Sequence, residues 1–330
     1  ELCNRLIDAY GMNGAAVRLS PENPLSSLPA DISWIDLLCP SHEEETYLEQ
    51  LLGISLPTRD DLKDIEPSSR LYSENGTTYM TASLVWKSDT DTPEITDISF
   101  ILTGNRLITI RYGDPRAFRL FVAALQRQPE ESRNGTMMLA RLLETISDRT
   151  AEILEQTVQK MDMLSTQVFG EGSRGKRRPP RYLEDRLMDV ATHHRMVSKV
   201  RDSLMSLSRL LGYLSGRPAL QKDAEAHELC QTVARDVHSL SEHAAFLGTN
   251  ISFLLDASLG LINVEQNAII KIFSIASVVF LPPTLVASIY GMNFQFMPEL
   301  NLHFGYPLAL ALMLVSAIVP FYVFRWKGWL

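Results

Sequence analysis

The chain is 330 residues long, 45% hydrophobic and 21% charged, with a formal net charge of −8 at pH 7. Its acid excess is lopsided: residues 1–130 hold 20 acidic and 11 basic side chains, a balance of −9, and the remainder stands at +1. An acidic front half argues against nucleic acid as a partner, since phosphates want a basic face, and no phosphate-binding glycine loop, nucleophile elbow or catalytic carboxylate pair marks an enzyme.

Residues up to about 130 read as α/β. Residues 15–19 and 32–37 alternate like short strands. Ser41 followed by Glu43, Glu44 and Glu45 supplies an N-cap and an acidic first turn, predicting a helix to Leu52. Strands follow at 77–86, 95–102 and 107–112, with Gly104-Asn105 as a hairpin turn, and then a helix at 115–126. Asp60, Asp61, Asp64 and Glu66 form one acidic cluster, and Asp89, Asp91, Glu94 and Asp97 another. Each reads first as a solvated loop. Cys3, Cys39 and Cys230 are at neither metal nor disulfide spacing, which fits a reducing compartment. The seven histidines lack the spacing of a zinc site.

From about residue 131 the texture changes to long helices. One apolar stripe runs from Leu139 to Val168, a basic turn covers 170–180, and a second stripe returns from Leu183 to Leu214. A third helix starts near Ala219 and meets no obvious break before Pro282. At about 1.5 Å per residue it approaches 100 Å, long enough to be a stalk leading into a membrane. The expected division is therefore an acidic domain at 1–130, a stalk at 131–270 and a transmembrane hairpin at 271–330.

The hairpin rests on two uncharged runs, 272–289 and 308–324, each near the lower limit for crossing a bilayer as a helix. At helical spacing, one face of the first reads Asn267, Ile270, Ser274, Ser277, Leu281, Thr284, Ser288. Such a face suits either close packing between helices or a narrow, partly polar pore. Pro282-Pro283 leaves the carbonyls of Val278 and Val279 without their usual donors. Carbonyl oxygens facing water are hard-cation ligands; facing lipid they mark only a kink.

Tyr290-Gly291-Met292-Asn293, directly after the first run and continued by Phe294-Gln295-Phe296-Met297-Pro298-Glu299-Leu300, resembles the signature of the CorA magnesium transport family. The flanking stretches 262–267 and 280–288 are similar to its bacterial members, and the likeness is closest over residues 236–330. A zinc-transporting branch of that family replaces the Met of the tripeptide, which this chain keeps. A second copy, Tyr10-Gly11-Met12-Asn13, has no apolar run before it and reads as coincidence.

The resemblance implies an α+β cytoplasmic domain, a long helical stalk and two C-terminal transmembrane helices, assembled as a homopentamer around the first span. It places Asn267, Thr284, Gly291, Met292 and Asn293 on pore or motif positions, with Ile270 and Leu281 where other members carry methionine. The loop at 294–307 has no Lys or Arg, whereas Lys271, Arg325 and Lys327 flank the other ends of the spans. By the positive-inside rule both termini are cytoplasmic, in the inner membrane. The expected function is passive Mg²⁺ transport. Gly291, Met292 and Asn293 would select the hydrated ion, Glu299 would concentrate cations, Ile270 and Leu281 would gate, and Asp89, Asp91 and Asp236 would serve as regulatory Mg²⁺ ligands. The lipid bilayer, further copies of the chain and divalent cations are the expected partners, with no organic cofactor. The same architecture moving Co²⁺, Ni²⁺ or Zn²⁺, and a non-transporting membrane-anchored coiled-coil scaffold, remain open from sequence.

Overall fold

The computed structural model describes residues 6–11, 15–22, 24–25, 27–64, 66–90, 92–128, 134–169, 182–293, 295, 297–298 and 302–328. They form two compact units, Glu1–Leu255 and Asp256–Leu330. In chain order the elements are β1 (Leu6–Gly11), β2 (Ala16–Arg18), β3 (Ile32–Leu38), α1 (His42–Leu52), α2 (Pro67–Arg70), β4 (Leu71–Glu74), β5 (Thr77–Trp86), β6 (Glu94–Thr103) and β7 (Arg106–Arg111). Helices α3 (Arg116–Arg127), α4 (Gly135–Phe169), α5 (Tyr182–Ser215), α6 (Pro218–Gln221), α7 (Ala224–Tyr290) and α8 (Gly305–Trp326) follow.

The seven strands make one sheet in the order β2-β1-β3-β7-β6-β5-β4. Neighbours pair antiparallel except β3 with β7, which are parallel and join the two antiparallel halves. Alternation along the strands divides the side chains between two faces. Ile7, Ile35, Leu37, Ile101, Ile108 and Ile110 share a buried cluster with Leu48 of α1. From the intervening positions, Trp34 packs on Phe118 and Phe121 of α3, with ring centroids 6.4 and 5.3 Å away.

The expected α1 forms with both halves of a capping box: Glu44 N–H donates to Ser41 Oγ, and Ser41 N–H to Glu44 Oε2 at 2.7 Å. Gly53 closes it in the left-handed region at φ 68°. Two strands escaped the sequence reading, β1 and β4. The signal for β4 was present: Asn75 and Gly76 both have positive φ, the requirement of a tight hairpin between β4 and β5. The third helix also begins later than expected. Asp223 interrupts it, its carboxylate accepting from Ala226 N–H at 3.1 Å as an N-cap, so α6 and α7 are separate. Cys39 is disulfide-bonded and Cys230 is buried and free, which corrects the expectation of three unpaired thiols.

At the parallel junction lies a buried ion pair. Arg111 of β7 donates from Nη2 and Nε to Asp36 of β3, at 2.8 and 3.1–3.2 Å, and from Nη1 to Asp114 and the Gly113 carbonyl. Thr109 Oγ1 donates to Asp36 at 2.6 Å and accepts from Trp34 Nε1. Burial works against the Arg111 charge, but Asp36 outweighs it and its pKa is raised. Nearby, α4 starts with a glycine for want of room: a Cβ at Gly135 would lie 2.3 Å from the Arg106 backbone carbon.

Removing one partner of a buried pair leaves the other charged and dry, at a cost of about 3–5 kcal/mol. Arg111→Met should therefore destabilise the soluble unit by that amount, read by denaturant unfolding followed through tryptophan fluorescence. Arg111→Met combined with Asp36→Leu should recover most of the loss. If the double substitution proves as damaging as the single, the pair is not the source of the cost.

Candidate functional site

Helix α7 carries the whole first-span set, and α8 is the second helix apolar and long enough to cross a membrane. Asn267, Ser274, Leu281 and Ser288 recur every seven residues, and Ile270, Ser277 and Thr284 lie between them. That spacing keeps all seven on one helix face. All seven are exposed, Ile270 and Leu281 to 60% and 65%. An apolar side chain so exposed needs lipid or another copy against it.

Three of the four hydroxyls on this face donate back to their own helix. Ser274 Oγ donates to the Ile270 carbonyl at 2.9 Å, Thr284 Oγ1 to Phe280 at 2.6 Å and Ser288 Oγ to Thr284 at 2.8 Å. Each hydroxyl hydrogen is thus spent on its own helix, and the oxygen keeps its lone pairs. At those three positions the face therefore presents acceptors rather than donors, which suits a cation and the water around it.

Within the second unit, a groove of about 390 Å³ between α7 and α8 brings Asn267, Ile270 and Ser274 together with Val278, Val279 and Phe321. Val278 and Val279 are the residues whose carbonyls lose donors to Pro282 and Pro283, both inside the helix. Ser277, Leu281, Thr284 and Ser288 do not line that groove.

Helix α7 ends at Tyr290, and the signature tripeptide follows at once. Gly291 N–H donates to the Ala287 carbonyl at 2.9 Å. A Cβ at Gly291 would stand 3.1 Å from that same oxygen, tighter than ordinary contact, so the turn off the helix favours glycine. Met292 and Asn293 are exposed just beyond it. Glu299 lies outside the described residues, as does Asp91.

The acids on the soluble unit differ from one another. Asp89 is held by cations: Arg149 Nη2 donates to it at 3.0 Å, and Arg116 Nη1 stands 3.7 Å away. Asp236, exposed on α7, has Asp148 of α4 as a neighbour. Burial, and then the charge of Asp236, raise the Asp148 pKa. Among the described residues, no group of three or more His, Cys, Asp or Glu side chains is placed to hold a metal ion. The sequence reading missed Asp148, because partners on different helices leave no spacing signal. It also missed Asp256, whose signal was available: Asp256 and Asn263 continue the seven-residue series that leads to Ile270.

The model of the family described as CorA-like Mg²⁺ transporter protein matches residues 29–326. The magnesium transport protein CorA of Pasteurella multocida is 36% identical over 325 residues, covering 98% of this chain and all of that one. Its namesake from Yersinia pseudotuberculosis is 37% identical over 315 residues, covering 93% and 97%. Among solved structures, the complete CorA magnesium transporter of Methanocaldococcus jannaschii matches with a TM-score of 0.74 at 21% identity, covering both chains fully. The full-length CmaX protein matches at 0.70 and 17% over 98% of each chain. At those identities the structures speak to fold alone. With a family model and relatives above 30% identity spanning nearly its whole length, this chain belongs to the CorA-like Mg²⁺ transporter family.

Proposed function

We propose that this chain is the subunit of a passive Mg²⁺ channel of the cytoplasmic membrane, built as a homo-oligomer around α7 with both termini in the cytoplasm. The observation that carries the reading is the face from Asn267 to Ser288, uncharged, exposed and lined with acceptors, which leads directly into Gly291-Met292-Asn293. A single hairpin encloses no path, so several copies must contribute that face; five is the number the family resemblance implies. The three-part division at residues 130 and 270 belongs to the same proposal.

Mg²⁺ gives up water reluctantly, so a site that strips it entirely would be slow. A ring of Asn293 amides, one from each copy, would accept from and donate to the first water shell without a charge strong enough to trap the ion. Glu299 would raise the cation concentration at the outer mouth, and Asp256 would do so at the inner end. Ile270 and Leu281 would narrow the path with apolar side chains that close it by excluding water, and Asn267 would add a polar ring. Between them, the lone pairs of Ser274, Ser277, Thr284 and Ser288 would meet the waters of the passing ion.

Feedback by Mg²⁺ fits the placement of charge. Asp89 already has Arg149 and Arg116, so a cation there must displace them. Asp236 beside Asp148 is the better site, because the pair repel one another. With its pKa raised in the fold, Asp148 contributes stability that is present at acid pH and lost as pH rises through that raised value. Mg²⁺ between the two acids would restore it at neutral pH.

Three measurements test this reading. Asn293→Ala should cut Mg²⁺ uptake by about tenfold or more in a strain without other Mg²⁺ importers, with assembly unchanged; wild-type uptake refutes the selectivity role. Leu281→Ser should raise leak current in planar bilayers several-fold, as about one wetted apolar ring predicts, whereas loss of assembly without leak would place Leu281 against a neighbouring helix. Finally, millimolar Mg²⁺ should slow proteolysis of the soluble unit at pH 7 in the wild type and much less in Asp236→Asn. Equal protection in both removes Asp236 from the regulatory site.

A further inference from the structure

A cavity of about 810 Å³ opens in the first unit where the β4–β5 and β6–β7 turns face the start of α4 and the junction of α6 with α7. That volume lies within the usual range of about 300–1,000 Å³ for small-molecule pockets. Gly76 and Gly104 form its sheet side, and Pro218, Ala219 and Ala224 give it an uncharged, partly apolar wall. Its charged lining is two cations, Arg217 and Lys222, and one acid, Asp223.

The acid does not neutralise the cations. Asp223 Oδ1 accepts from Ala226 N–H at 3.1 Å and Oδ2 from Asn134 Nδ2 at 2.8 Å. Its charge sits at the amino end of α7, where the helix dipole favours it. Neither Arg217 nor Lys222 makes a side-chain hydrogen bond or an ion pair among the described residues. The Arg217 guanidinium instead lies over Tyr213, its carbon 4.2 Å from the ring centroid, and Tyr213 Oη shares a hydrogen bond with Ser73 Oγ of β4 at 3.2 Å. Stacking so fixed orders the guanidinium before any ligand arrives. Its Nε is enclosed, which leaves Nη1 and Nη2 as the donors open to a ligand.

Thr136 is a second, independent sign of a ligand. It lines the cavity at the start of α4, is 8% exposed, and its hydroxyl has no hydrogen-bond partner among the described residues. Thr145, Thr150, Thr157 and Thr166 of the same helix each donate to the carbonyl four residues back. A buried hydroxyl without that bond calls for an acceptor from elsewhere.

We propose that this cavity binds a small phosphorylated organic anion, its phosphate held by Arg217, Lys222 and Thr136. A phosphate monoester is close to a dianion at neutral pH and offers a set of terminal oxygens, which answers two cations and a hydroxyl together. The Arg217 fork alone can take up both oxygens of a carboxylate, leaving Lys222 and Thr136 unanswered. A bare phosphate would fill little of about 810 Å³, so an organic group occupies the rest, against Pro218, Ala219 and Ala224. Lys222 and Asp223 immediately precede α7, so an occupant would also fasten the foot of that helix to the sheet.

The test is calorimetric binding to the purified full-length protein in detergent, at fixed ionic strength and without Mg²⁺. The probes are inorganic phosphate, adenosine monophosphate and citrate. Phosphate should bind saturably, adenosine monophosphate about tenfold or more tightly because its organic body buries further area, and citrate more weakly than either. Lys222 is exposed, so Lys222→Gln should fold as the wild type does. That variant and Thr136→Val should each weaken phosphate binding by about tenfold, the scale of one hydrogen bond to a charged group. Arg195→Gln, an equal charge loss at an exposed position of α5, should bind as the wild type does. No saturable phosphate binding, an equal loss in Arg195→Gln, or unchanged binding in both cavity variants overturns the proposal. Citrate binding as tightly as phosphate overturns the assignment to phosphate, and adenosine monophosphate binding no more tightly than phosphate overturns the organic group.

Discussion

In hydrocarbon, a backbone group without a partner has no water to fall back on, and this constraint orders the second unit, Asp256–Leu330. It explains why residues 272–289 and 308–324 lie within helices, and why any departure from helical bonding carries meaning. The departures cluster. Pro282 and Pro283 free two carbonyls, and the hydroxyls of Ser274, Thr284 and Ser288 double the donors on three others. The released carbonyls and the hydroxyl-bonded ones thus fall along one stretch of α7, where Val278 and Val279 line a groove with Asn267, Ile270 and Ser274.

In the soluble unit the organising contact is Arg111 with Asp36, which bolts the two antiparallel halves of the sheet together along their parallel seam. The guanidinium also rests over Phe118, with its carbon 4.5 Å from the ring centroid. One buried charge therefore fixes β3, β7 and the start of α3 at once. That rigidity gives the adjacent Asp114, Arg116 and Arg119 defined positions.

Much of this was legible in advance, for identifiable reasons. The strands at 77–86, 95–102 and 107–112 are rich in aliphatic, aromatic and β-branched residues because both sheet faces are largely buried, and the structure has them within a residue or two. The capping box of α1 is local chemistry and could be read from four residues. What stayed hidden was nonlocal. Nothing in the series of α4 announces that Asp148 faces Asp236, or that Arg149 takes Asp89 out of the pool of free carboxylates. Those facts depend on the packing of one helix against another element, which hydrophobic stripes specify only to within a turn. The face on the first span was readable because a single helix sets its geometry, whereas the pairing of Asp148 with Asp236 was not, because two helices do.

The distinction bears on how feedback can work. An ion shifts a conformational balance only by its difference in affinity between the states, about 1.4 kcal/mol for each tenfold. Asp89 is a poor instrument for that. Mg²⁺ binding there must first break contacts to Arg149 and Arg116, and that cost comes off the difference. Burial and then the charge of Asp236 raise the Asp148 pKa, so in the proposed site an ion between the two acids would have no existing ion pair to break. In the oligomer proposed above, each copy would contribute its own pair and the preferences would multiply.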